Sequence, residues 1–240
     1  MARKHLIPLA ALAITLALGA CSDTQTAGET MGPGLNAGST MNHGSNLREG
    51  AIFEANLTPL NPGIQKTLDP DSRTPRGVAQ GKAYFRVVNG ELRAVVDVDG
   101  VEPADGAFPE GLHPQHIHAA DRCPDMSADV NGDGIVDVIE GLPFYGPIMI
   151  PLDGNLADTS SQVATFPLAS GDRGTYNYSA TASVSALEAT LGHPLALATR
   201  HVVIHGMDLA TPLPASVASL PGVPAQLTIP VACGELREMP

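Results

Sequence analysis

From about residue 50 onward, apolar and polar positions alternate in short runs, with Gly, Pro, Asn and Asp between them. Alternation at a period of two marks a half-buried strand, because successive side chains leave opposite faces. The clearest case is residues 82–88 and 91–98 around Asn89-Gly90, a dipeptide suited to a tight hairpin turn. The two runs are predicted to be antiparallel neighbours. Further strands are predicted at 52–57, 116–119, 148–152, 162–168, 175–182, 201–205 and 226–231. One short helix is predicted at 185–191, opened by a serine and closed by Gly192. Many short strands separated by turn residues predict an all-β fold, a β-sandwich. No internal repeat is evident.

The N-terminus follows a different pattern. Arg3 and Lys4 precede an apolar stretch at 6–18, too short and too early for a spanning helix, so residues 1–20 are predicted to be a secretory signal. The signal ends in Leu18-Gly19-Ala20-Cys21, which resembles the lipobox of bacterial lipoproteins, whose cysteine is lipidated and becomes the mature N-terminus. Ordinary cleavage nearby is the alternative. The lipobox implies a membrane partner through a lipid anchor at Cys21 and a place in the cell envelope. Ser22 follows the cysteine, so no aspartate marks inner-membrane retention, and which membrane holds the chain stays open. Residues 21–48 are rich in Gly, Thr, Ser, Asn and Met and are expected to form a flexible tether. Residues 49–240 are expected to form one domain.

Charge and cysteine count fit an exported protein. The chain has 13 basic and 25 acidic residues; removing Arg3 and Lys4 with the signal leaves 11 against 25, a formal charge of −14. Nucleic acid is therefore excluded as a partner. Three cysteines are present. If Cys21 carries lipid, Cys123 and Cys233 remain in an oxidising space, and a disulfide between them is expected.

Two motifs carry chemistry. His116 and His118 are two apart on a predicted strand, so both point into one space, and a third imidazole is available from the apolar run Arg200-His201-Val202-Val203-Ile204-His205. His201 and His205 would lie roughly 13 Å apart along an extended strand, so only one of them can share that ion. Imidazole donors alone do not separate copper from zinc. The second motif is Asp129–Glu140, which matches the twelve-residue calcium loop position by position. Asp129, Asn131, Asp133, Asp137 and a bidentate Glu140 would supply oxygens together with the Ile135 carbonyl, and Gly134 permits the sharp turn. Arg122-Cys123-Pro124-Asp125 before the loop is not an amphipathic helix, so a single structural calcium loop is expected rather than a paired sensor.

The run Glu110-Gly111-Leu112-His113-Pro114-Gln115-His116-Ile117-His118 resembles the copper strand of copper/zinc superoxide dismutases. Gly81-Lys82-Ala83-Tyr84-Phe85 with its hairpin, Val202-Val203-Ile204-His205 and Ala232-Cys233-Gly234 resemble further segments of that family, in order. The resemblance implies a Greek-key β-sandwich with an inserted calcium loop and copper on His116, His118 and His205. It gives His113 a structural role, leaves His201 structural, and makes superoxide the substrate. Two departures stand beside it. No histidine falls between Ala119 and Gly192, so the zinc site of those enzymes has no counterpart, and the position of their guiding arginine is Pro230. Phe53-x-Ala55-x-Leu57 and the His-Ile-His run also resemble chordin-type (CHRD) domains. That likeness implies the alternative of a non-enzymatic, calcium-stabilised envelope, adhesion or copper-storage module.

Overall fold

The Asn89-Gly90 pair turns the chain as its sequence predicts: both residues have positive φ, 54° and 73°, the conformation of a two-residue hairpin. In the computed structural model, which describes residues 47–65, 77–104, 111–161 and 163–240, strands β2 (Gln80–Val88) and β3 (Glu91–Asp99) flank this turn. They pair antiparallel from Gln80↔Asp99 to Val88↔Glu91. β1 (Ile52–Pro59) lies against β2, and β6 (Tyr176–Ser183) lies against β3. Alternate residues of these strands, such as Phe53, Ala55, Phe85, Leu92, Ala94 and Val96, enter the core.

β1 changes partner along its length. Through Leu57 it pairs with β2, and at Thr58 and Pro59 it pairs with β8 (Pro230–Glu235). The sheet continues through β7 (His201–His205) and β4 (Gln115–His118) to β5 (Ile148–Pro151). Nine strands among the described residues thus follow the order β5-β4-β7-β8-β1-β2-β3-β6, with β9 (Arg237–Glu238) added to β1. Every pairing is antiparallel.

The sheet curls over one core. Phe53, Phe85 and Leu92 from one half share a cluster with Ile117, Ile150, Val202 and Ile204 from the other. The Tyr176 hydroxyl donates to Gln115 Oε1 at 3.1 Å and the Tyr178 hydroxyl to the Asp153 carbonyl at 2.9 Å, tying β6 to the opposite end of the strand order. β4 and β7 are buried on both faces, which is why their sequences lack a polar-out alternation. Ile117, Val202 and Ile204 join the main core; the histidines occupy the other face.

Three expectations of local structure are corrected. The single helix at 185–191 is present as α2 (Val184–Leu191) with Ser183 as its cap, but two more α-helices occur among the described residues: α1 (Val138–Tyr145) and α3 (Ala225–Thr228). α1 contains Gly141 and Pro143, residues that disfavour helix. It forms because Asp137 and Glu140 close a capping box at its start, with Val138 and Tyr145 buried at its ends. The predicted strand at 226–231 is overridden in its first half by α3, so β8 begins only at Pro230. Residues 163–168 form a 3-10 turn at Val163–Thr165 and a lone bridge from Leu168 to Leu112 instead of a strand. Val163 and Leu168 are exposed and Phe166 is the one buried side chain of 163–168, so the run has no alternating buried face to pair it.

All described residues fall in one compact unit, His43–Pro240. The expected signal, Cys21 and the tether as far as residue 46 lie outside the described residues, as do Glu110 and Gln162. Among the described residues, no helix is long and apolar enough to cross a membrane.

Candidate metal centre

Register places the histidines. β4 and β7 pair with His116 opposite Val203 and His118 opposite His201, and residues directly opposite one another share a face. His205, two residues beyond Val203, returns to that face, and its N–H donates to the Pro114 carbonyl at 2.7 Å. One ligand nitrogen from each of His116, His118 and His205 lies within 4.8 Å of the others. The rings are 5.4–5.8 Å apart between centroids and only 5, 3 and 4 % exposed.

Hydrogen bonds fix which nitrogen His118 and His205 offer. His118 Nδ1 bonds to the Gly146 carbonyl at 2.9 Å, and His205 Nδ1 bonds to the Thr228 carbonyl at 2.8 Å. A carbonyl only accepts, so these Nδ1 atoms carry the proton and Nε2 keeps its lone pair. His116 Nδ1, His118 Nε2 and His205 Nε2 are buried with no hydrogen-bond partner. Burial holds His116 and His118 well below the ordinary imidazole pKa, helped by their histidine neighbours, and pushes His205 down to about 4. All three are neutral near pH 7, the state that binds a metal. Phe166 packs edge-on against His116 at 5.2 Å, and Tyr145 lies 4.8 Å from His118 and 6.2 Å from His205.

The other two buried histidines lie outside this group. His113 Nε2 is 2.7 Å from the Glu102 carbonyl and Nδ1 is 3.2 Å from the His205 carbonyl, so the ring sits between a loop and the end of β7 and, neutral through burial, donates its one N–H to one of the two carbonyls. β4 begins only at Gln115, so strand parity does not govern His113; its ring stacks on Tyr176 at 6.0 Å. His201 stacks on His118 at 5.9 Å. Both its ring nitrogens lack hydrogen bonds. Burial lowers its pKa to about 4, partly offset by the nearby carbonyls of Ala120 and Tyr145.

A disulfide joins Cys123 to Cys233. It packs with Tyr145 and Val203, beside the histidines, and so ties the chain after β4 to β8. The bond spans 110 residues, and closing so long a loop contributes on the order of 4 to 5 kcal/mol in the chain-entropy model, an upper figure.

The acidic loop runs directly into α1. Asp129 accepts the N–H groups of Gly132, Asp133 and Gly134, and Glu140 Oε1 accepts those of Val130 and Asn131. Asp133 accepts from Ile135 N and from the Ser216 hydroxyl. Gly134, at the sharp turn, has φ +86°. The histidines are the one group of three such ligands gathered within 4.8 Å among the described residues; the loop's carboxylates are drawn onto backbone amides.

Sequence reasoning missed the residues that support these sites. Asn61, 1 % exposed, receives Val136 N and donates to the carbonyls of Val136 and Pro230. Gly146 and Thr228 act through backbone carbonyls, which no side-chain pattern reveals. Neither a protein-family model nor a curated protein matches the chain.

Proposed function

We propose that the chain is an exported, lipid-anchored copper protein of the superoxide dismutase type, with His116, His118 and His205 as ligands and superoxide as substrate. The supporting observation is three buried imidazole nitrogens without partners, one per ring, in rings that face one another. An unsatisfied buried polar atom costs about 1–3 kcal/mol, and one metal ion satisfies all three. Imidazole donors accept copper or zinc, and copper stands above zinc in intrinsic affinity for the same donors. Copper bound there would supply one-electron chemistry, oxidising one superoxide and reducing the next. The chain's own part is to hold protons on Nδ1 of His118 and His205 through the Gly146 and Thr228 carbonyls, and to keep the rings buried against Tyr145 and Phe166. Cys21 carries the lipid and fixes the domain to the cell envelope. Calcium occupies the Asp129–Glu140 loop through Asp129, Asn131, Asp133, the Ile135 carbonyl, Asp137 and Glu140, a reading supported by the ligand spacing and the turn at Gly134.

A second reading is copper holding without turnover, in a CHRD-like envelope module. Pro230 favours it: this residue sits opposite His205, where it offers no charge to draw in an anion. Copper uptake and superoxide consumption separate the readings. The purified protein is expected to take up one copper per chain, and His116→Ala or His118→Ala is expected to lose it. Superoxide consumption in proportion to loaded copper supports dismutation; uptake without consumption assigns the second reading. Stoichiometric uptake by the double variant rejects both.

A further inference from the structure

Two backbone carbonyls fix two imidazoles of the triad, His118 and His205, and the segments carrying them both lead back to one buried carboxylate. Asp137 is 1 % exposed. Its Oδ1 accepts from Ile139 N at 2.8 Å and Glu140 N at 3.0 Å, which starts α1. The helix is held end to end by the Tyr145 hydroxyl on the Val138 carbonyl at 2.8 Å. Its last residue, Tyr145, packs on His118 and His205, and the next carbonyl, that of Gly146, receives His118 Nδ1. The other oxygen of Asp137 accepts from Ala218 N at 2.6 Å. The neighbouring Ser219 hydroxyl shares a hydrogen bond of 3.0 Å with the Thr228 hydroxyl, and the Thr228 carbonyl receives His205 Nδ1.

We infer that Asp137 is a positioning residue for the metal centre: through α1 it sets the carbonyl that orients His118, and through residues 218–219 the carbonyl that orients His205. This rests on the reading that the triad holds a metal. Groups that orient a ligand ring contribute roughly 10–100-fold to metal affinity. A carboxylate is needed because one oxygen serves the helix cap while the other serves Ala218. An asparagine keeps one acceptor but puts a donor where the second N–H arrives.

The test titrates Cu(II) alone into the full chain and reads affinity by chelator competition and site geometry by electron paramagnetic resonance. Asp137→Asn and Ser219→Ala are each expected to weaken copper binding about tenfold, and Asp137→Ala about a hundredfold, with altered spectra for the Asp137 variants. Ser183→Ala, which removes the cap of α2, is expected to lower the melting temperature while leaving the copper spectrum unchanged, so lost stability and lost positioning are distinguished. If Asp137→Ala does not fold, Asp137→Asn and Ser219→Ala decide. Folded Asp137 variants with wild-type affinity and spectrum would overturn the inference. A wild-type protein that takes up no copper would instead overturn the reading of the triad, and this inference with it.

Discussion

Burial holds His113, His116, His118, His201 and His205 all below the ordinary imidazole pKa of 6.5. A folded-state pKa below the unfolded one means that the unfolded chain binds more protons as pH falls through 6.5. The associated stability is therefore full above about pH 6.5 and is lost progressively as pH falls towards the folded value, about 4 for His201 and His205. Each such histidine gives a slope of about 1.4 kcal/mol per pH unit in that window. Metal-free protein is expected to lose at least about 3 kcal/mol in urea unfolding between pH 6 and pH 5; stability that stays flat or rises on acidification would contradict this burial. At this scale much was legible. His116 and His118 share a face because they are two apart, and the sequence alone says so. The choice between His201 and His205 was not legible from parity, since both lie on the same face of β7. The register sets His201 opposite His118 and carries His205 past Val203 to the Pro114 end of β4, and it is His205 whose ligand nitrogen lies within 4.8 Å of those of His116 and His118.

Elements show where periodicity suffices and where it fails. The hairpin of β2 and β3 was plain from alternation and Asn89-Gly90, because a half-exposed strand must alternate. Helix α1 was hidden, since Gly141 and Pro143 obscure it and its stability comes from the Asp137–Glu140 capping box and a buried Tyr145. The box occupies positions nine and twelve of the acidic loop, Asp137 and Glu140, whose spacing also fits calcium ligands. Both roles are compatible, because each carboxylate oxygen of Asp137 that accepts a backbone N–H keeps a further lone pair for a cation. Calcium in the loop should stabilise α1 and the fold around it. At a free ion concentration of a hundred times the dissociation constant the gain is about 2.7 kcal/mol, or roughly 5–10 °C in melting temperature for a domain of this size. Adding a chelator to calcium-saturated protein is expected to lower the melting temperature by that amount, and Asp129→Ala to abolish the response. An unchanged melting curve of the wild-type protein would reject the loop as a calcium site.

Across the whole molecule, an all-β fold could be read from many short alternating runs, but the long-range pairings could not. Nothing periodic says that β8 will meet β1 at Thr58 and Pro59, or that β7 will lie between β4 and β8. Those pairings depend on which apolar faces close over Ile117, Val202 and Ile204. The Cys123–Cys233 bond was foreseen from compartment and count, while its place beside Tyr145 and the histidines emerges only in three dimensions. Asn61 is the plainest omission: a polar residue in a turn, it is buried because it completes the backbone of the acidic loop and reaches the Pro230 carbonyl. In the proposed function, imidazoles from β4 and β7 hold one transition-metal ion. Anomalous diffraction at the copper absorption edge, from crystals of copper-loaded protein, tests it most directly. A single peak bonded to His116 Nδ1, His118 Nε2 and His205 Nε2 is the expected result; no peak between these rings, or a peak held by other residues, would contradict it.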